Sequence, residues 1–243
     1  MKYDYSFIVP AFNEEKLLAA TIANLNSIIE RLNNRYLGRV IVVDNNSKDN
    51  TAKIAKDMGA EVVFEPINCI ARARNSGAKI AKSRYLIFVD ADTLVSYEIV
   101  KKSLENLSSG TICGGGAHVE FDFEKIPFFA KLTIIWWNTV TFLVPLAAGS
   151  YLYCLSEGWK AVGGFNEKLY ASEEVNFSYK LKKWGRKNKQ KFILLPDKVL
   201  TSGRKMGWYS SFHLFVYIML GMLFPFMLRS RKACYLWYTR PEE

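Results

Sequence analysis

The four cysteines of this 243-residue chain, Cys69, Cys113, Cys154 and Cys234, form no Cys-x-x-Cys pair. That argues against a zinc site and a disulfide framework, and it fits reduced cytosolic thiols. No G-x-G-x-x-G opens the first helical segment, so the dinucleotide-binding form of an α/β fold is not expected. No G-x-x-x-x-G-K-[ST] occurs, so a P-loop is not expected either. Internal repeats and low-complexity tracts are missing. The first apolar run is short and meets Pro10 at once, so no secretory signal peptide is expected. The formal charge of +10 is accompanied by no nucleic-acid recognition motif. An anionic partner is therefore sought among nucleotides and phospholipid surfaces rather than nucleic acid.

Half of the residues are apolar, enough for a sizeable core in one large domain with or without an appendage. The first half alternates strand and helix patterns. Strands are predicted over 5–9, stopped by Pro10, over 39–43, 61–64 and 85–89. Between them lie a helix carrying Leu17, Leu18, Ile22, Leu25, Ile28, Ile29 and Leu32, a helix over 51–58 and a helix over 72–82. This order predicts α/β architecture: a mostly parallel sheet with right-handed crossovers, flanked by helices.

The strand at 85–89 runs straight into Asp90-Ala91-Asp92-Thr93. Carboxylates at the end of a buried strand are costly unless they are paired or hold a cation. Two of them one residue apart suit a divalent metal on oxygen ligands, which in turn holds a diphosphate. The alternative is capping by Asp92 or Thr93 of a helix over 96–107. Gly114-Gly115-Gly116 is expected to permit a tight bend within one or two strands over 111–123. His118, a lone strand histidine, is read as structural.

Four segments are similar to the family 2 glycosyltransferases of GT-A fold, in the family's order. They are Phe7-Ile8-Val9-Pro10-Ala11-Phe12-Asn13-Glu14-Glu15, Val42-Val43-Asp44-Asn45-Asn46-Ser47-Lys48-Asp49-Asn50-Thr51, Ala73-Arg74-Asn75-Ser76-Gly77-Ala78 and Phe88-Val89-Asp90-Ala91-Asp92-Thr93. The resemblance covers roughly the first two hundred residues. It implies transfer of a sugar from a nucleotide-diphosphate donor, with inversion and a divalent metal, Mn2+ or Mg2+. It puts Pro10, Phe12, Glu14, Asp44, Asn45, Arg74 and Asp90 at the donor and Asp92 with Asp90 at the metal. Phe12 is placed to stack on the base, with core packing as the alternative. The family often has two acidic residues where Asp44 and Asn45 stand; the Asn45 amide both donates and accepts, which leaves the base open. Arg74, with Arg72 behind it, is expected at the phosphates or base, because a cation at a helix start calls for an anion.

In the second half, Gly163-Gly164-Phe165 followed by Glu173-Glu174 resembles the family's Gly-Gly-Phe turn and acidic helix start. There the second acid, usually Asp, deprotonates the acceptor hydroxyl, which points to Glu174 with Glu173 beside it. Helix capping is the other reading. Residues 196–205 resemble a late basic loop that closes over the donor, with Arg204 neutralising the departing diphosphate. Residues 126–155 are strongly apolar, read as a helix before Pro145 and a strand over 151–155.

Residues 206–228 carry no formal charge and are long enough to span a bilayer, although Gly221 and Pro225 interrupt them. Arg229, Arg231 and Lys232 follow. Lys180, Lys182, Lys183, Arg186, Lys187, Lys189 and Lys191 precede. An apolar helix or hairpin on an anionic membrane surface is expected, with packing on the catalytic domain as the alternative.

The expected organisation is a catalytic domain over 1–205 and a membrane-associated segment over 206–243, on the cytoplasmic face of the membrane. The acceptor is expected to be a glycan or a lipid-linked group, as in cell-envelope glycan synthesis. Two rivals stand beside this reading. A sugar-phosphate nucleotidylyltransferase would need a glycine-rich, arginine-containing loop where Pro10-Ala11-Phe12-Asn13 stands. A non-catalytic membrane adaptor binding a nucleotide sugar would not need Asp90, Asp92, Glu174 and Arg204 together.

Overall fold

In the computed structural model, which describes residues 2–122, 146–147, 149–204 and 211–239, the sheet is built outward from β1 (Tyr5–Ala11). All seven of its residues are buried, as a strand covered on both faces requires. It pairs in parallel with β2 (Gly38–Asp44) on one side and β4 (Tyr85–Val89) on the other. β3 (Glu61–Phe64) extends the parallel set beyond β2. The strand does not stop at Pro10 but continues to Ala11. Pairing with β4 ends at Ile8, so the missing Pro10 donor breaks no β4 rung. Helices α1 (Leu18–Leu32), α2 (Thr51–Asp57) and α3 (Ile70–Ala81) make the crossovers. α1 buries Leu18, Ile22, Leu25, Ile28 and Leu32, the helical spacing visible in sequence.

The sheet as a whole is mixed rather than mostly parallel. Its order is β3-β2-β1-β4-β7-β6-β8-β5. β7 (Tyr151–Leu155) runs antiparallel to β4 and to β6 (Ile112–Asp122). β6 is parallel to β8 (Lys191–Ser202), and β8 is antiparallel to the short β5 (Thr93–Leu94). Antiparallel neighbours need no helical crossover, so the strand–helix alternation of the first half could not announce them. Much of the stretch expected as a basic loop, 196–205, is the end of β8.

The glycine run makes no bend. It lies inside β6, where neighbouring chain comes too close for a side chain. A Cβ on Gly115 would sit 2.0 Å from the Ile193 carbonyl oxygen, one on Gly114 2.6 Å from that of Tyr153, and one on Gly116 2.7 Å from Ala147 Cβ.

Helix α4 (Tyr97–Ser108) is capped by Ser96, whose Oγ accepts from the Ile99 N–H at 3.3 Å. Asp92 and Thr93 are thus released from that duty. α5 (Ser156–Ala161) and α6 (Glu173–Lys187) follow β7. α7 (Ser211–Leu223), a 3-10 turn (Pro225–Arg229) and α8 (Tyr235–Tyr238) end the described chain. Among the described residues no helix is long and apolar enough to cross a membrane. The expected helix before Pro145 falls outside the described residues. The end of the chain returns to the sheet domain: Tyr170 N–H donates to the Leu228 carbonyl at 2.8 Å, and Tyr238 Oη donates to the Tyr170 carbonyl at 3.0 Å.

Candidate active site

The loops after β1 and β2 are stitched to each other. Asn13 takes a left-handed backbone (φ 51°), which asparagine tolerates. Its N–H donates to Ser47 Oγ at 3.0 Å, and its Oδ1 accepts from the Lys48 N–H at 2.9 Å. Glu14 N–H donates to Thr51 Oγ1 at 2.7 Å and Glu15 N–H to Asp49 Oδ2 at 3.0 Å. The first two motifs thus form one rigid rim at the carboxyl ends of β1 and β2, where open α/β sheets bind ligands.

A cleft opens at this rim. Its walls are Pro10, Ala11, Phe12, Glu14, Asn45, Asn68, Ile70, Asp90, Ala91, Asp92 and Tyr238. Six residues expected at the donor or metal meet here: Pro10, Phe12, Glu14, Asn45, Asp90 and Asp92. The turn that carries the two aspartates is braced by α1, whose Thr21 Oγ1 donates to the Ala91 carbonyl at 2.9 Å. Pairing of β5 with β8 brings Thr93 Oγ1 within 2.9 Å of Thr201 Oγ1 and delivers Arg204 to the same place. Arg204 pairs with both carboxylate oxygens of Glu14 and lies 3.5 Å from Asp92 Oδ2.

Three expected donor residues have other occupations. Asp44 is not in the wall; its Oδ1 accepts from the Ser47 N–H at 3.0 Å. Asn45 borders the cleft, yet its amide is spent on the chain that follows β3. It donates to the carbonyls of Glu65 (3.1 Å) and Ile67 (2.7 Å) and accepts from Cys69 N–H (2.9 Å). Arg74 is 1% exposed and cannot meet a ligand in the cleft. Its Nη2 donates to Asp90 Oδ1 and to the Gly149 carbonyl, both at 2.9 Å, and its Nη1 donates to Glu173 Oε1. Arg72 likewise serves Glu65 and Glu167.

The acid pair is set by the Gly-Gly-Phe turn. Asn75 clamps that turn, with Nδ2 donating to the Phe165 carbonyl and Oδ1 accepting from its N–H, both at 2.9 Å. Gly164 (φ 67°) is required here, because a Cβ would lie 2.5 Å from Asn75 Oδ1. Phe165 stacks on Phe177 of α6 at 4.4 Å and meets Phe88 of β4 edge-on at 4.9 Å, fixing the start of α6 against the sheet. Glu173 is 3% exposed and bridged to Arg74. Burial raises its pKa against the pull of Arg74. Glu174 is half-buried, and its carboxyl hydrogen-bonds Glu173. Burial and the Glu173 charge together push its pKa up to about 8. Burial opposes the charge on Arg74, but Asp90 and Glu173 raise its pKa above the ordinary arginine value.

Among the described residues no group of three or more His, Cys, Asp and Glu could hold a metal by itself. Asp90 and Asp92 nevertheless offer carboxylate oxygens to one cleft. That suits Mg2+ or Mn2+, which are often held by one or two carboxylates with substrate phosphates completing the shell. Asn68, Ile70 and Tyr238 were not foreseen. Tyr238 is brought to the cleft by contacts far apart in sequence, among them its hydrogen bond to Tyr170 across 68 residues and one from the Ile70 N–H, which leave no local signal.

The family model for Glycosyl transferase family 2 matches residues 6–142, more than half of the chain. The chain belongs to glycosyl transferase family 2. It is 33% identical over 103 residues to an uncharacterized glycosyltransferase of Mycobacterium tuberculosis, covering 42% of this chain and 43% of that protein. It is 28% identical over 134 residues to the human dolichyl-phosphate beta-glucosyltransferase, covering 47% of this chain and 41% of that protein. The matches thus span less than half the length of these relatives. In fold, the chain is similar to a mannosyltransferase of Pyrobaculum calidifontis in complex with GDP-Man and Mn2+, with TM-score 0.71 and 18% identity over 97% of this chain and 65% of that one. It is also similar to S. aureus TarS 1-349 in complex with UDP-GlcNAc, with TM-score 0.62 and 18% identity over 89% and 66% of the two chains. A family 2 chain with the GT-A-like fold, a mixed sheet flanked by helices, is therefore established.

Proposed function

We propose that this family 2 chain is a hexosyltransferase. It moves a sugar from a nucleotide-diphosphate donor to an acceptor hydroxyl or lipid-linked phosphate, with inversion, and it uses Mn2+ or Mg2+. The observation that carries this reading is the convergence of Phe12, Glu14, Asp90 and Asp92 on one cleft, with Arg204 paired to two of these wall residues, Glu14 and Asp92. The relatives' names support the substrate class: a dolichyl-phosphate glucosyltransferase in sequence, and folds bound to GDP-Man and UDP-GlcNAc.

In this reading Phe12 stacks on the base. Asp92, supported by Asp90, would hold the cation, which would supply charge neutralisation for the donor diphosphate. The Glu174 carboxylate accepts the proton of an acceptor hydroxyl as the hydroxyl attacks the anomeric carbon. An acceptor phosphate, already anionic, needs no base. Arg204 leaves its carboxylate partners for the charge that develops on the departing diphosphate. The deciding experiment screens UDP- and GDP-sugars with Mn2+ or Mg2+ for donor hydrolysis and transfer, with polyprenyl phosphates among the acceptors. Metal-dependent turnover of at least one donor is expected. No binding or turnover of any donor would overturn the reading.

The same proposal includes an anionic membrane surface on the cytoplasmic side as the place of work. Val216, Leu220, Leu223, Phe224 and Phe226 are exposed at α7 and the turn after it. Arg229, Arg231 and Lys232, also exposed, follow directly. Apolar side chains edged by cations suit a phospholipid surface. The Tyr170–Leu228 hydrogen bond ties this edge to the loop three residues before Glu173, which favours an acceptor drawn from the membrane.

A further inference from the structure

We propose that Arg74 is a positioning residue that couples the donor-facing carboxylate, Asp90, to the acid pair on the acceptor side. This deepens the transferase reading and rests on it. Arg74 comes from α3, Asp90 from the end of β4 and Glu173 from the start of α6. The guanidinium joins these three elements, with its Nη2 on Asp90 Oδ1 at 2.9 Å and its Nη1 on Glu173 Oε1. The Gly149 carbonyl, at 2.9 Å, and the Phe165 ring, 5.5 Å from the guanidinium, fix it from two further directions.

The Arg74 side chain is 2% exposed and that of Glu173 4%, whereas that of Asp90 is 25% exposed and lines the cleft. Arg74 therefore acts on a ligand only through Asp90. The two carboxylates share one guanidinium charge, so a weaker pull from one leaves more of that charge to the other. When Asp90 is drawn toward a bound cation, the Arg74 charge turns toward Glu173, which adjoins Glu174. Conversely, a neutral side chain at 173 leaves the whole Arg74 charge on Asp90 and lowers what Asp90 offers to a cation. The brace makes donor occupancy and the hold of Arg74 on Glu173 reciprocal.

The test measures binding of Mn2+ together with UDP or GDP by calorimetry, in full-length wild type, Glu173→Gln, Arg74→Lys and the double variant, with thermal melts as a fold control. Glu173 does not line the cleft and meets Asp90 through Arg74. Glu173→Gln is nonetheless expected to weaken binding about fivefold or more in the wild-type background and less than about twofold in the Arg74→Lys background. An unchanged affinity in Glu173→Gln, or equal losses in both backgrounds, overturns the brace. Should Arg74→Lys not fold, Glu174→Gln serves as the comparison. Arg74 makes no hydrogen bond to Glu174 among the described contacts, so that variant is expected to keep its affinity within about twofold. Equal losses from Glu173→Gln and Glu174→Gln then overturn the proposal. A wild-type protein that binds neither nucleotide removes the transferase reading itself, which separates the two failures.

Discussion

Glu173 and Glu174 are neighbours in sequence with different capacities. Glu173 is bridged to a buried arginine, while Glu174 is half-buried and keeps its proton to about pH 8. A base must be deprotonated to work, so for a hydroxyl acceptor kcat should rise with pH through about 8 on its acid limb. Glu174→Gln should cost about 100-fold or more in kcat, abolish that limb and leave donor affinity in place. Stability gives a second readout. A carboxyl with a raised folded-state pKa binds more protons folded than unfolded, so wild type loses stability between pH 4.5 and about 8. Glu174→Gln should flatten that decline in denaturant titrations taken across this range. Asp92 faces the cleft beside Arg204. Asp92→Asn should reduce turnover by about 100-fold and weaken Mn2+-dependent nucleotide binding, as binding calorimetry would register. Full activity of that variant in chelator would remove the metal from the mechanism.

Among the elements, β6 shows how a composition cue is misread. Three consecutive glycines suggest a bend, yet they mark a strand whose neighbours approach within side-chain distance. Gly115→Ala should therefore lower stability by about 2 kcal/mol or more, seen as a fall in Tm, because the backbone oxygen of Ile193 cannot step aside as a side chain can. Since β6 lies two strands from β4, nucleotide affinity of the surviving folded fraction should hold. The helix at 173–187 is easier to read: acids stand at its first turn and Arg186 and Lys187 at its last, as the helix dipole favours.

For the molecule as a whole, the C-terminal segment links the cleft and the proposed membrane surface. Vesicles containing anionic lipid should bind the protein, with salt weakening the binding without abolishing it, since apolar insertion is not screened. Leu223→Ser combined with Phe226→Ser removes two of the most exposed apolar side chains. That pair should release the protein from vesicles while nucleotide affinity stays within about twofold, because neither residue lines the cleft. Removal of residues 206–243 should do more, because it also takes Tyr238 from the cleft wall. Vesicle sedimentation and nucleotide titration of the two variants separate these effects. A full-length protein that ignores vesicles at low salt would assign the apolar edge to another role.

The order and character of the first four strands, the helical face of α1 and the paired aspartates at the end of β4 were legible in the residues alone. Strand and helix periods are local, and a buried strand that ends in carboxylates calls for a partner, be it a cation or a basic side chain, whatever lies beside it. The four family segments likewise imply that Pro10, Phe12, Glu14, Asn45, Asp90 and Asp92 lie together, and these do share a cleft. The partners of the charged groups were not legible. Arg74 reads as a cation waiting for an anionic ligand, but its anions come from Asp90, 16 residues on, and Glu173, 99 residues on. Asn45 reads as a base-recognising amide and is spent on its own loop. The antiparallel return of β7, the packing of the glycine run and the arrival of Tyr238 at the cleft also waited for the fold. Each depends on which distant backbone lies alongside, and long-range pairing is decided by burial across the whole sheet, whereas propensity acts over a few residues.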